Sequence, residues 1–138
     1  MREILFRGKR RTGGWVVGNY LSKPILEQCF ILQGENQWMV LPETVGQYTG
    51  LMDKNGKKIF EGDIVQHLND NPYADESIVE MGSVFWDEEY CGWRRTSNGE
   101  FYHGKIDTYR LSKRCCNEVI GNVHDNPELI GGADDAVD

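Results

Sequence analysis

The sequence has 138 residues, 39% of them hydrophobic and 27% charged, with a net charge of −7. This composition is typical of a globular protein that buries a core without a disulfide or a metal, and not of a disordered chain. The longest uninterrupted apolar runs, at 29–32 and 38–41, have four residues. A membrane-spanning helix needs about 20, so we expect no membrane association.

The N-terminal residues do not resemble an export signal, because Arg2, Glu3 and Arg7 interrupt the place where its apolar stretch would lie. We therefore expect a cytoplasmic protein. In that compartment the cysteines are expected to be reduced thiols. The four cysteines are Cys29, Cys91, Cys115 and Cys116.

Charge is distributed unevenly along the chain. A basic cluster near the start consists of Arg7, Lys9, Arg10 and Arg11. Between Gln66 and Glu100 the net charge is −6, because eight acids stand against Arg94 and Arg95. Those acids are Asp70, Asp75, Glu76, Glu80, Asp87, Glu88, Glu89 and Glu100. An acidic chain is repelled by phosphate, so sequence-independent DNA binding is not expected, and the acidic stretch is typical of a solvated surface.

Short strand-like runs separated by turn residues fill most of the chain. Residues 2–7 and 15–21 predict two strands joined by a glycine-rich basic turn, and Gly34-Glu35-Asn36 predicts a hairpin between 29–32 and 37–41. Later strands are predicted at 64–68, 77–86, 91–96, 101–102 and 118–124, with a turn at 97–99. Helix is predicted only at 107–114 and, after an Asn126-Pro127 start, at 127–129.

The clearest local signal is the tight turn Asp53-Lys54-Asn55-Gly56 between two strand-like runs. Two registers are open: a type I′ turn centred on Asn55-Gly56, or a type I turn opened by Asp53 with Gly56 left-handed in a G1 bulge. We favour the second, because an aspartate at the first position can accept hydrogen bonds from the turn backbone.

The pattern as a whole predicts a mainly β fold: a small barrel-like or sandwich-like β domain with one or two short helices. We expect one such domain over residues 1–130 and a flexible acidic C-terminal tail at 131–138.

Three stretches together resemble the YopX-like family of phage and prophage proteins. They are REILFR at 2–7, QYTGLMDKNGKKIFEGDIV at 47–65 and NEVIGNVHDNPELI at 117–130. The central stretch is the most specific of the three. The resemblance implies a mostly β fold and a phage or prophage origin, but no activity and no functional residues.

No pattern in the sequence is typical of a catalytic or metal site. The histidines His67, His103 and His124 do not stand at metal-ligand spacing with each other or with the cysteines. The carboxylates of Glu88 and Glu89 would face opposite ways on a strand, which makes them a poor acid–base pair. We therefore predict a protein that is not an enzyme, without catalytic, cofactor-binding or metal-binding residues.

The candidate partner-binding residues lie in one short stretch: Trp86, Tyr90, Trp93, Arg94 and Arg95. Aromatic residues interleaved with arginine suit protein partners and single-stranded nucleic acid alike. The alternative is that Trp86 and Trp93 pack in the core and bind nothing.

The resulting hypothesis is a prophage-encoded accessory protein that binds an unidentified protein partner, with self-association through edge strands also open. A second hypothesis is an acidic decoy, in which the acids between Gln66 and Glu100 mimic DNA for a host DNA-binding protein. A third is a nucleic-acid-binding module, either SH3-like on the strength of the Gly62-Asp63 strand entry or through the basic cluster. The sequence does not decide whether nucleic acid is bound.

Overall fold

A computed structural model describes residues 3–68, 79–102, 105–110 and 117–130. The predicted fold class is confirmed: the protein is mainly β, with two antiparallel sheets that do not close into a barrel and with short 3₁₀ helices. The chain forms two compact units, Met1–Gly50 and Leu51–Asp138, here called unit 1 and unit 2. The single domain over 1–130 stays a prediction, and the predicted tail at 131–138 lies outside the described residues.

Unit 1 contains an antiparallel sheet in the strand order β4-β3-β2-β1-β5. Its strands are β1 (Phe6–Lys9), β2 (Trp15–Lys23), β3 (Gln28–Gln33), β4 (Asn36–Val40) and β5 (Gly46–Met52), with 3₁₀ helices at Pro24–Leu26 and Pro42–Thr44. Its core consists of Val16, Cys29, Ile31 and Val40, with Phe6, Trp38 and Val45 packed against it. The Leu41 amide donates to the Lys9 carbonyl, 2.8 Å away, and so joins the end of β4 to the end of β1.

Unit 2 is an antiparallel sheet in the order β10-β9-β8-β7-β11. Its strands are β7 (Asp63–Leu68), β8 (Val79–Asp87), β9 (Gly92–Tyr102), β10 (Lys105–Arg110) and β11 (Asn117–Asn122), followed by a 3₁₀ helix at Pro127–Ile130. The short strand β6 (Lys58–Phe60) forms a hairpin with the end of β5. The core of unit 2 contains Ile59, Val65 and Val84, with Leu51, Trp93 and Val119 packed against them.

The turn at Asp53 adopts the second of the two predicted registers. The Gly56 amide donates to the Asp53 carbonyl at 3.0 Å, Gly56 has a φ of +82°, and Asn55 does not have a positive φ. A type I′ turn would need positive φ at both central positions. The aspartate therefore opens a type I turn, and the glycine takes the left-handed position of a G1 bulge.

Replacing Gly56 with alanine is expected to cost about 1 kcal/mol of unfolding free energy, because a side chain in the left-handed region is strained. The added Cβ would meet no atom within 4 Å, so the cost is conformational and not steric. Gly56→Asn should cost less, since asparagine tolerates that region. Urea unfolding of both variants checks this, and equal losses for the two would contradict it.

The Gly62-Asp63 pair acts locally on the entry to strand β7. Gly62 has a φ of +88°, and the Asp63 carboxylate accepts a 2.7 Å hydrogen bond from the Phe60 amide. The pair thus bends the chain between β6 and β7. This accounts for the motif without an SH3-like ligand site.

Two local predictions in the second half of the chain were wrong. Residues 107–110 lie in β10 and not in a helix, because they pair with β9, while 111–114 lie outside the described residues. The predicted turn at 97–99 lies within β9, opposite a register shift between Ile106 and Thr108. The turn-forming residues are accommodated by a bulge in the ladder and do not end the strand.

The predicted short helix after Asn126 is confirmed as the 3₁₀ helix Pro127–Ile130. The Leu129 amide donates to the Asn126 carbonyl at 3.1 Å. The Asn126 side chain, however, accepts a 3.2 Å bond from the Asn122 amide, so it fastens the helix start to the end of β11.

Candidate functional site

The β8–β9 hairpin ends in a pair of tryptophans that pack edge to face. Trp86 and Trp93 lie directly opposite each other, with ring centroids 5.2 Å apart and ring planes at 74°. Such an edge-to-face pair is stabilising beyond the area it buries. Trp93 packs against the core of unit 2, whereas Trp86 is 45% exposed. The core thus supports an indole ring that solvent reaches.

The turn beyond this pair is built around Asp87. Its Oδ1 accepts hydrogen bonds from the amides of Glu89 and Tyr90, at 2.9 and 3.3 Å. Its Oδ2 lies 3.6 Å from Nε of Arg94, whose guanidinium carbon lies 4.3 Å from the centre of the Tyr90 ring. Arg94 is therefore held between a carboxylate and an aromatic face, and Tyr90 is 63% exposed.

The five predicted residues do not share one face of the hairpin. Side chains alternate along a strand, and opposite residues share a face. The pairs Trp86–Trp93 and Val84–Arg95 therefore share one face, and Arg94 points to the other. Arg95 is only 4% exposed, and its Nη1 donates to the Thr96 carbonyl at 3.4 Å. At the end of the hairpin Trp86 contacts Trp93 and Tyr90 contacts Arg94. These four residues are here called the hairpin tip, which does not include Arg95.

The basic cluster of unit 1 is largely occupied in packing. The guanidinium of Arg7 lies 4.8 Å from the centre of the Trp15 ring, and that of Arg10 lies 4.9 Å from the centre of the Trp38 ring. The Nε atoms of both arginines are buried. Stacking of this kind covers one face of each guanidinium, whereas a phosphate bonds to the N–H groups at its edge, so nucleic-acid binding through the cluster stays a prediction.

The histidines and cysteines are the candidates for metal binding or catalysis. In the part of the chain that the structure describes, no group of three His, Cys, Asp or Glu side chains could hold a metal ion. Cys29 is buried, and its Sγ lies 3.3 Å from the Tyr20 hydroxyl, a hydrogen bond that raises the pKa of Tyr20 above its usual value. Cys91 is exposed, and its thiol donates to the Glu88 carbonyl at 3.4 Å. His103, Cys115 and Cys116 lie outside the described residues.

Unit 1 contains a cavity that sequence reasoning missed. It has a volume of about 310 Å³, near the lower end for ligand pockets. Its walls are apolar side chains with polar groups beside them: Arg11, Leu26, Glu27, Gln28, Met39, Val40, Leu41 and Pro42. Next to it, Ile25 is 97% exposed, and Leu26 and Met39 are exposed too. We call this site the Leu26 cavity.

The signal for this cavity in the sequence was Pro24-Ile25-Leu26, an apolar pair after a proline between two strands. Pro24–Leu26 forms a 3₁₀ helix with no buried residue, so its apolar side chains face solvent. Glu27 ends the helix with a φ of 55°, which is uncommon for a residue other than glycine.

Within the described ranges, no helix is long and apolar enough to cross a lipid bilayer.

The fold and the surface geometry define a two-sheet β protein with an aromatic hairpin tip. The chain belongs to the YopX protein family, whose pattern matches residues 11–131. This confirms the predicted family resemblance. A search of curated proteins finds no match.

Among solved structures, the chain is similar to protein EF1440 from Enterococcus faecalis. The two share 22% sequence identity, with a TM-score of 0.47, over 94% of this chain and 99% of the other.

Proposed function

We propose that this chain is a prophage-encoded accessory protein that acts by binding a protein partner through the hairpin tip, without catalysing a reaction. The family resemblance supports the phage origin. The observation that carries the binding proposal is the tip itself, where two exposed aromatic rings are each fixed by a second side chain. Trp86 packs edge to face against Trp93, and the Tyr90 ring lies against the Arg94 guanidinium.

Preorganisation is the reason why this tip suits binding. Trp, Tyr and Arg are the residue types most enriched among interface residues that carry binding energy. A ring already held in place loses little conformational entropy when a partner covers it. Here Trp93 is anchored in the core, and Asp87 fixes both the turn backbone and Arg94. The exposed rings therefore offer apolar area at a low ordering cost.

Capture of partners from a bacterial lysate tests this proposal. Trp86→Ala and Tyr90→Ala should each weaken the captured complex by at least about 30-fold, because central aromatic residues contribute roughly 2 kcal/mol or more. Affinities of the purified partner, measured by titration calorimetry, give the comparison.

Met52→Ala serves as the matched control, since Met52 is another exposed apolar residue of unit 2 that lies outside the tip. It should leave the affinity unchanged, and thermal unfolding of all three variants should show that they fold. A partner that binds the tip variants as tightly as the original chain would contradict the proposal.

An acidic decoy is the second candidate, favoured by the charge of unit 2. Residues 51–138 contain 18 Asp and Glu against nine Lys and Arg, a net charge of −9. A partner that expects DNA phosphates would be basic and would bind in a strongly salt-dependent way. Between about 0.05 and 0.5 M salt the Debye length falls about threefold. A binding affinity that stays constant over this range would exclude the acidic decoy.

A further inference from the structure

The two units of the chain carry opposite net charges. Residues 1–50 contain six Lys and Arg against four Asp and Glu, a net charge of +2, whereas residues 51–138 carry −9. Opposite charge steers two surfaces toward each other and suppresses contact between like surfaces. A second copy of the chain therefore presents a unit of the opposite sign to each of the two units.

The Leu26 cavity in unit 1 has free polar groups beside its apolar wall. Arg11 and Glu27 line it, both exposed, and neither forms an ion pair with another described residue. Leu26 and Met39 supply exposed apolar area. A fitting occupant would bring an apolar or aromatic body, a carboxylate for Arg11 and a hydrogen-bond donor for Glu27.

The hairpin tip in unit 2 carries those three features. Tyr90 and Trp86 supply exposed rings whose O–H and N–H groups need acceptors when they are buried. Between them lie Glu88 and Glu89, which are exposed and form no ion pair with the rest of the described chain. The tip and the two glutamates of its turn thus supply an aromatic body, hydrogen-bond donors and carboxylates, which are the three features that the cavity requires.

We propose that the hairpin tip of one copy docks into the Leu26 cavity of a second copy. Tyr90 enters against Leu26 and Met39, its hydroxyl donates to Glu27, and the carboxylates of Glu88 and Glu89 face Arg11. This inference rests on the proposed function, because it names the protein partner that the tip binds. The contact is head-to-tail, since the two copies use different surfaces, and it leaves a tip and a cavity free for further copies.

Mixing two variants that each lack one surface tests the head-to-tail contact. Arg11→Glu disables the cavity and Tyr90→Ser disables the tip, both at exposed positions. The original chain should gain mass with concentration in sedimentation velocity. Each variant alone should bind itself at least tenfold more weakly, whereas an equal mixture of the two should form a 1:1 heterodimer.

A charge exchange within one chain gives the second measurement. Glu88→Arg with Glu89→Arg, added to Arg11→Glu, should restore self-association. The control is Glu35→Arg, an exposed acid of unit 1 that does not line the cavity, and it should leave self-association unchanged.

A strict monomer at all concentrations, or a mixture that forms no heterodimer, would overturn the head-to-tail contact. If the tip variants nevertheless lose a partner captured from the lysate, the proposed function stands and only the identity of the partner as a second copy fails. If the tip variants lose nothing in either experiment, both proposals fail.

Discussion

Asp53→Ala is expected to lower the free energy of unfolding by about 3 kcal/mol, because hydrogen bonds to a buried charged group are among the strongest in proteins. The side chain is only 4% exposed. Its Oδ1 accepts from the amides of Asn55 and Lys57, at 2.8 and 2.9 Å, and its Oδ2 accepts from the Val119 amide at 3.0 Å. One carboxylate thus fastens the β5–β6 turn to β11, and chemical denaturation measures the loss.

Asp53→Asn is the matched comparison. Its amide oxygen can keep the two turn bonds, but its NH₂ group would face the Val119 amide, and two donors cannot bond. We expect about half the loss of the alanine variant. An alanine variant as stable as the original chain would show that the carboxylate does not hold the two elements together.

The contribution of Asp53 should depend on pH in one direction. Burial raises the pKa of this carboxyl, but the bonds from the Val119, Lys57 and Asn55 amides and the Lys57 charge outweigh it, so the pKa lies below its ordinary value of 3.8. A depressed folded-state pKa stabilises fully above the unfolded-state pKa of about 3.9. The difference between the original chain and Asp53→Asn should therefore hold at neutral pH and shrink as the pH falls below that value.

Gly82→Ala should cost about 3 kcal/mol, at the upper end for overpacking a filled site. The added Cβ would overlap the backbone carbonyl of Thr96 on β9. Main-chain atoms cannot turn away as a flexible side chain does. The Ser83 amide, which donates to the Thr96 hydroxyl at 3.0 Å, holds the two strands at this distance. Thermal and chemical unfolding should both report the loss.

Gly92→Ala, on the same strand pair, is the control for this substitution. Its Cβ would meet only the Tyr90 carbonyl, 3.7 Å away, in ordinary contact. We expect a change within about 0.5 kcal/mol, as for most surface substitutions. Equal effects of the two substitutions would mean that β8 and β9 do not approach as closely as described at Gly82.

The conformation of the turn at Asp53 could be predicted from the sequence, but the long-range contacts of its side chain could not. The Asp53-Lys54-Asn55-Gly56 string predicts its turn because it needs only neighbouring residues. The bond from Asp53 to Val119 spans 66 residues and depends on how β11 pairs with β7. The local pattern of 107–114 predicts a helix for the same reason, whereas long-range pairing with β9 places 107–110 in a strand.

The composition of the candidate site could be predicted, but not its faces. The aromatic and arginine residues between Trp86 and Arg95 stand out in the sequence. Their orientation follows from the pairing of Trp86 with Trp93, because a shift of one residue would exchange every face. That register buries Arg95 and places Arg94 on the opposite face of the hairpin. The sequence contained one signal for the Leu26 cavity, the apolar pair after Pro24, but the cavity itself could not be predicted, because its walls come from segments that lie apart along the chain, from Arg11 to Pro42.

Oxidative footprinting of the complex with its captured partner tests most directly whether the hairpin tip is the binding surface. Trp86, Tyr90 and Met52 are all exposed in the free chain, so each can be labelled. We predict that the partner protects Trp86 and Tyr90 and leaves the labelling of Met52 unchanged. Unchanged labelling of Trp86 and Tyr90, with protection elsewhere on the chain, would contradict the account.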